Sequence, residues 1–321
     1  MNDFVLHRPS SLAEAAGLLA TPGARALAGG TDLVVSLRHG LEQPALLVDL
    51  CALPGLSELR WTDAGCDIGA CCTLARLAGD ARLRGAFPAL AQAALSVAAP
   101  THRSAATLGG NLCLDTRCVY YNQGEDWRRS SGYCLKRGGD TCHVAPRGKR
   151  CHAAFSGDVA PALLALDAII ELVSPSGMRS VPLAELYRDD GASHLALAPG
   201  EFIASVRVPR SPQGVCSAYR KVRTRGAIDF PLAGIAVALS VESGLIRHLR
   251  VSMTGTNPRP VLLEGTNDLV GHAVNEASLA RIGKLVQKQA SPVRTTLTEA
   301  NYRRQVAAVT AQRLVKELAA A

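Results

Sequence analysis

Leu27-Ala-Gly-Gly-Thr-Asp-Leu-Val-Val-Ser-Leu-Arg38 is the stretch on which the reading of this chain turns. A short apolar strand, Ala26 to Ala28, runs into Gly29-Gly30-Thr31-Asp32, after which Leu33, Val34 and Leu37 repeat at helical spacing until Gly40 supplies a stop. A paired glycine between strand and helix lets backbone N–H groups approach an anionic oxygen closely, and the helix N-terminus adds its partial positive charge. Taken singly, such a turn is ordinarily only a tight connection. A second one occurs at Thr107-Leu-Gly-Gly-Asn111, and each pair is followed by a short polar residue, Thr31 or Asn111. Together they fit two loops gripping one diphosphate.

Working outward, Val5 to His7 reads as a strand, and Ser11-Leu-Ala-Glu14 is a capping-box pattern feeding a helix to about Ala20. With the strand Ala45 to Leu50, this makes a strand-helix-strand-helix-strand unit whose crossovers favour parallel pairing. A hairpin follows from Leu59 to Ala70, then helices over Thr73–Asp80, Pro88–Ala98 and, further on, Val159–Leu166. A strand over Ala168–Val173 and a turn at Pro175-Ser-Gly177 suggest a domain boundary near 175. Beyond it, strand-like runs at Phe202–Val208, Ala218–Val222, Leu232–Val241 and Leu249–Met253 lead to helices over Glu276–Gln289 and Glu299–Ala320, an α+β texture.

The 321 residues are 48% hydrophobic and 19% charged, enough to bury two or three modules, which excludes disorder and small disulfide scaffolds. No apolar run approaches a bilayer span, and MNDFVLHRPS lacks the layout of a secretory signal, so a cytoplasmic protein without membrane contact is expected. The net charge is +8, and Arg117 to His152 alone holds eight basic against three acidic residues. No zinc-finger spacing, zipper heptad or RNA-binding signature accompanies that patch, so no nucleic-acid partner is expected. Neither G-x-G-x-x-G nor G-x-x-x-x-G-K-[ST] occurs, and no G-x-S-x-G or H-E-x-x-H pattern offers a catalytic residue. The chain reads as a redox carrier.

From Cys113 to Ser156 there is no sustained periodicity, and so long a structureless loop inside a compact domain implies an insertion ordered by something other than hydrophobic packing. It holds Cys118, Cys134, Cys142 and Cys151. Four thiolates suffice for tetrahedral zinc or for one iron–sulfur cluster. Their intervals of sixteen, eight and nine contain no close pair, which makes a usual zinc knuckle a poor fit. His143 and His152 each follow a cysteine and could be ligands, although hydrogen-bonded or solvent-facing residues of a basic loop are the simpler reading. Cys51, Cys66, Cys71, Cys72, Cys113 and Cys216 read as small hydrophobes, with Cys113 near enough to the second turn to touch a cofactor.

LAGGTDLVVSLR followed by ATLGGNLC resembles the FAD-binding medium subunits of the xanthine oxidase family of molybdenum hydroxylases. Within it, DTRCVYYNQGEDWRRSSGYCLKRGGDTCHV, continuing to KRCHAAFSGD, resembles the extra loop of the 4-hydroxybenzoyl-CoA reductase branch, which holds a [4Fe-4S] cluster. The resemblance implies Cys118, Cys134, Cys142 and Cys151 as cluster ligands. It implies FAD as cofactor, with Leu27 and Ala28 to Asp32 (Ala28, Gly29, Gly30, Thr31, Asp32) facing the diphosphate and Thr107 to Asn111 (including Gly110) on its second side. Asp158 and Lys221 would lie along the flavin and its linker, and Thr101 and Ala106 would also contact the cofactor. The implied fold is a two-part FAD-binding domain of the PCMH type over residues 1–175, with 113–156 as the cluster-binding insertion, and a C-terminal antiparallel sheet with helices over 176–321.

The resemblance further implies a doubled heterotrimer with a molybdopterin-containing large subunit and a [2Fe-2S] small subunit. Electrons from a ferredoxin-like donor would enter at the insertion and end in reductive dehydroxylation to benzoyl-CoA on the large subunit. Arg128, Arg129, Lys136, Arg137, Lys149 and Arg150 are the expected docking face for that donor. Three alternatives stand beside this reading: another molybdenum hydroxylase, oxidising an aldehyde or aromatic acyl-CoA with outward electron flow, a stand-alone FAD oxidoreductase, and a zinc-stabilised binding module with no redox role.

Overall fold

A computed structural model describes residues 3–294 and 298–321. The opening elements are β1 (Val5–His7), α1 (Leu12–Leu19), β2 (Ala24–Leu27), α2 (Leu33–Arg38) and β3 (Leu46–Asp49). They form the parallel unit that the helical crossovers predict, in the order β1-β3-β2, with Leu46 facing Val5 on one side and Ala24 on the other. Ser11 caps α1 by accepting the Glu14 N–H at 3.1 Å. The reciprocal half of the capping box is replaced: the Glu14 carboxylate accepts from the Ser10 N–H and hydroxyl, both at 2.7 Å, and bonds His7. The Ser10 bonds, ahead of His7, hold that carboxyl down at about 2.

Next come β4 (Leu59–Thr62), β5 (Gly65–Gly69), α3 (Leu74–Gly79), α4 (Ala81–Ala86), α5 (Pro88–Ser96), α6 (Pro100–Ala105), α7 (Leu108–Leu112), α8 (Glu125–Ser130), α9 (Val159–Ala165), β6 (Ile169–Ser174), β7 (Gly177–Pro182) and β8 (Phe202–Pro209). The strands make one antiparallel sheet, β4-β5-β8-β6-β7. The boundary expected near 175 falls inside it, at the β6–β7 hairpin turn, because β8 returns to lie between β5 and β6. A hairpin and a linker share the same Pro-Ser-Gly chemistry, so local sequence cannot separate them. Phe87, Leu74, Leu90, Leu108, Phe155 and Leu163 fill the core against this sheet.

The remainder is β9 (Cys216–Val222), β10 (Ala233–Glu242), β11 (Leu245–Thr254), β12 (Val261–Leu262), α10 (Glu276–Gln289) and α11 (Ala300–Ala319). The sheet runs β12-β11-β10-β9 and is antiparallel throughout. Ile235, Val237 and Leu239 on one face of β10 pack on Ile282 and Val286 of α10 and on Ala307, Ala311 and Leu314 of α11. Ala236 and Ala238 on the other face join the core built around α5 and α9. Burial on both faces explains why β10 reads as a continuous apolar run. No helix among the described residues is long and apolar enough to cross a membrane.

Candidate functional site

Where the first glycine turn leaves β2, it lies against the end of α6. A Cβ on Gly29 would overlap the Ala105 carbonyl oxygen, and Gly30 takes φ +68°, so both positions demand glycine. This contact brings Leu27 to Asp32 together with Ala105, Ala106 and Thr107. The N–H groups of Gly29, Gly30, Thr31 and Asp32 have no acceptor among the described residues. Unspent donors at a glycine turn are what an anionic ligand requires.

The second turn differs. Thr107 Oγ1 accepts the Gly110 N–H at 3.1 Å, while the N–H groups of Leu108 and Gly109 donate to Cys72 and Ala70 carbonyls at 2.9 and 2.7 Å. Its donors are thus spent inside the fold, and Asn111 Oδ1 accepts the Val159 N–H at 3.1 Å, tying α7 to α9. Thr101 is exposed on α6. Two buried nitrogens flank the cradle without a partner among the described residues, His102 Nδ1 and Arg117 Nε. The unpaired Arg117 N–H beside open backbone N–H groups fits the diphosphate of FAD.

Asp158, which precedes α9, and Lys221 on β9 form a buried ion pair, Nζ to Oδ2 at 2.9 Å, so the site spans the FAD-binding region and the C-terminal sheet. Tyr219 donates its hydroxyl to Asp158 Oδ1 at 2.6 Å, and Lys221 and Arg223 both donate to the Ser96 carbonyl at 3.2 Å. Burial pushes the Asp158 carboxyl up, opposed by Lys221 and by the Tyr219 hydrogen bond. Sequence reasoning missed Tyr219 and Arg223. Their signal is the period of two along β9, continued one residue past its end, which sets 219, 221 and 223 on one side.

The four cysteines of the insertion converge. Cys118, Cys134, Cys142 and Cys151 line a single pocket with Tyr120, Tyr121, Lys136 and His143, a small cavity of about 10 Å³ that is partly open to solvent. Cys142 and Cys151 are buried and the other two half-buried. Burial raises the Cys118 thiol and pushes Cys151 up to about 11, with neighbouring cysteines adding to both and Lys136 opposing at Cys151. His143 bonds the Tyr133 carbonyl at 2.6 Å, and His152 does not line the pocket. Among the described residues no three His, Cys, Asp or Glu are gathered closely enough to hold a single metal ion. The quartet surrounds a space and does not meet at a point.

Polar contacts shape this insertion. Arg117 and Ala154 exchange backbone hydrogen bonds at 2.7 and 2.8 Å, and the Thr116 hydroxyl donates to Gly191 at 2.6 Å. These ties consume most of the expected docking face, which is a correction. Arg128 is buried and bonds Gln123 and Glu125, Lys136 bonds Asp115 and Thr116, Arg137 donates to Gly40, and Arg150 pairs with Asp189. Arg129 pairs with Asp126, so of the six only Lys149 is exposed without an ion-pair partner among the described residues, joined by Arg147. A segment with almost no apolar core uses its own cations to satisfy its carbonyls.

Residues 2–211 match the FAD binding domain in molybdopterin dehydrogenase, and residues 217–318 match the CO dehydrogenase flavoprotein C-terminal domain. The chain belongs to the FAD-binding medium subunits of the xanthine oxidase family of molybdenum hydroxylases. The two matches meet where β8 ends and β9 begins. The chain is similar to the aldehyde oxidoreductase FAD-binding subunit PaoB of Escherichia coli K12, 35% identical over 83% of this chain and 86% of that protein. It is also similar to the carbon monoxide dehydrogenase medium chain of Afipia carboxidovorans, 29% identical over 98% and 96%. A crystal structure of Cu,Mo-CO dehydrogenase in its cyanide-inactivated form superposes with a TM-score of 0.82 over 99% of this chain and 98% of that one, at 27% identity. The medium subunit is thus an FAD-binding oxidoreductase component.

Proposed function

We propose that this medium subunit carries a [4Fe-4S] cluster beside its FAD and serves a reductase of the 4-hydroxybenzoyl-CoA type, relaying electrons from a ferredoxin-like donor. The observation that carries this reading is the convergence of Cys118, Cys134, Cys142 and Cys151 on one pocket, with four thiols and no other acidic or metal-binding group lining it except His143. Tetrahedral zinc would bring its thiolates to about 3.8 Å from one another, whereas a cluster interposed between them holds them further apart. Bound FAD supplies a centre that exchanges electrons singly or in pairs, and a cluster supplies a one-electron relay.

The residues have separable tasks. Gly29 to Asp32 would offer N–H groups to the flavin diphosphate, and the Asp158–Lys221 pair, braced by Tyr219, would sit along the cofactor. Lys136, near Cys151, would offset the negative charge of the thiolates. Substrate chemistry belongs to a molybdopterin-containing large subunit, reached through a [2Fe-2S] small subunit. The 35% identity to an aldehyde oxidoreductase subunit favours a second reading, a hydroxylase with outward electron flow.

The test is an anaerobic preparation of the native complex, analysed for iron, molybdenum and FAD and assayed with 4-hydroxybenzoyl-CoA and a low-potential donor. Benzoyl-CoA formation with iron beyond that of two [2Fe-2S] clusters supports the proposal. Turnover of aldehydes alone points to the second reading, and a chain that purifies without molybdenum or partner subunits to a stand-alone FAD oxidoreductase.

A further inference from the structure

The cysteine-bearing insertion grips α2 at both ends. At the start of the helix, the Arg117 guanidinium pairs with Asp32, whose carboxylate caps no helix N–H. Past its end, Arg137 Nη2 donates to the Gly40 carbonyl at 3.0 Å. Neither arginine is independent of the pocket. Arg117 immediately precedes Cys118, and its backbone is bridged to Ala154, three residues beyond Cys151. The Arg137 N–H donates to the Cys134 carbonyl at 2.7 Å, closing the 3-10 turn over Leu135–Arg137. Arg117 also lies over the Phe230 ring, 5.0 Å from its centroid. Six residues are too few for a helix to hold its position unaided, so α2 depends on what it touches.

We infer that the insertion is a clamp: Arg117 and Arg137 hold α2, and through Asp32 the Gly29–Asp32 turn, in the geometry that retains FAD, so that occupancy of the cysteine pocket sets how fast the flavin is lost. This rests on the functional reading above, because it takes the pocket to be filled by the cluster. Both arginines are positioning residues.

Purified holo-complexes of wild type, Arg137→Ala, Arg117→Lys, Cys134→Ser and Cys134→Ser/Arg137→Ala would be compared for iron content, melting temperature and the rate of FAD release followed by flavin fluorescence. Arg137→Ala should keep its iron and melt normally yet release FAD about tenfold faster, the scale of a lost charged hydrogen bond. Arg117→Lys, unable to reproduce the guanidinium contacts, should behave likewise. Cys134→Ser should lose the cluster iron and release FAD equally fast, with no further acceleration in the double variant, since both act through one link. Unchanged FAD release in the arginine variants, or in Cys134→Ser once its iron is gone, would overturn the clamp. A wild type with no iron beyond the small subunit's clusters would instead refute the functional reading, and the two arginine variants would still decide whether the insertion holds α2.

Discussion

The glycine cradle and the cysteine insertion touch each other but are ordered by different forces. The cradle stands on a dense apolar core: Leu74, Phe87, Leu90, Leu108 and Leu163 are all at most 2% exposed. In the insertion, the buried residues between 114 and 150 are Thr116, Tyr121, Arg128 and Cys142, and the rest is held by ion pairs and side-chain bonds to carbonyls. The first region is preformed by burial of apolar area. The second has four thiols around a small pocket where a core would be. The perturbations that follow strike, in turn, the framework under the cradle, the seam between the two regions, and the cradle itself.

Lys221→Met should have the largest effect, because it strands the Asp158 carboxyl in a buried setting without its cation. Loss of one partner of a buried pair costs about 3–5 kcal/mol. Guanidinium unfolding should show that loss with the iron content of the purified complex unaltered.

Acid comes next and acts on the seam. His194 bonds the Leu114 carbonyl at 3.0 Å at the root of the insertion, and burial holds its pKa down at about 4 from 6.5. Between those values the unfolded chain binds a proton that the native chain does not, so stability rises with pH across this window. Acidification from pH 6.5 to 4 should remove on the order of 3 kcal/mol. His194→Gln should flatten the pH dependence of the unfolding midpoint over the same range.

Gly29→Ala strikes the cradle itself. Its methyl group would overlap the Ala105 carbonyl, so the turn must move. Overpacking of this kind costs about 1–3 kcal/mol, and FAD affinity measured by titration should fall roughly 10- to 100-fold. Gly17→Ala in α1 is the counterpart and the smallest effect: a Cβ there meets nothing within 4 Å. Helix propensity alone should raise stability by roughly 0.5–1 kcal/mol, with FAD binding unchanged.

Much of this contrast is legible in the sequence. Apolar periodicity locates the parallel unit, the buried β10 and the terminal helices, because their order comes from local pattern. The glycine at 29 is legible as a turn, but the reason no other residue fits is the Ala105 carbonyl, which comes from a segment about 75 residues away. The absence of periodicity marks the insertion, and the four cysteines within it do share a pocket. What is not legible is how charges are spent. Arg128, Lys136 and Arg137 look like surface cations in one dimension, yet tertiary structure turns them onto carbonyls and carboxylates. The end of the FAD-binding region is hidden for a similar reason: β8 pairs across more than a hundred residues with β5, and no local signal announces a long-range partner.

The central claim is that the four-cysteine pocket of the insertion is the seat of an iron–sulfur cubane. Its most direct test is iron and acid-labile sulfide per FAD in the anaerobic holo-complex, wild type against Cys142→Ser. Wild type should exceed the variant by about four irons and four sulfides, the content of one such cluster; equal iron in both, with FAD present, would contradict the cluster.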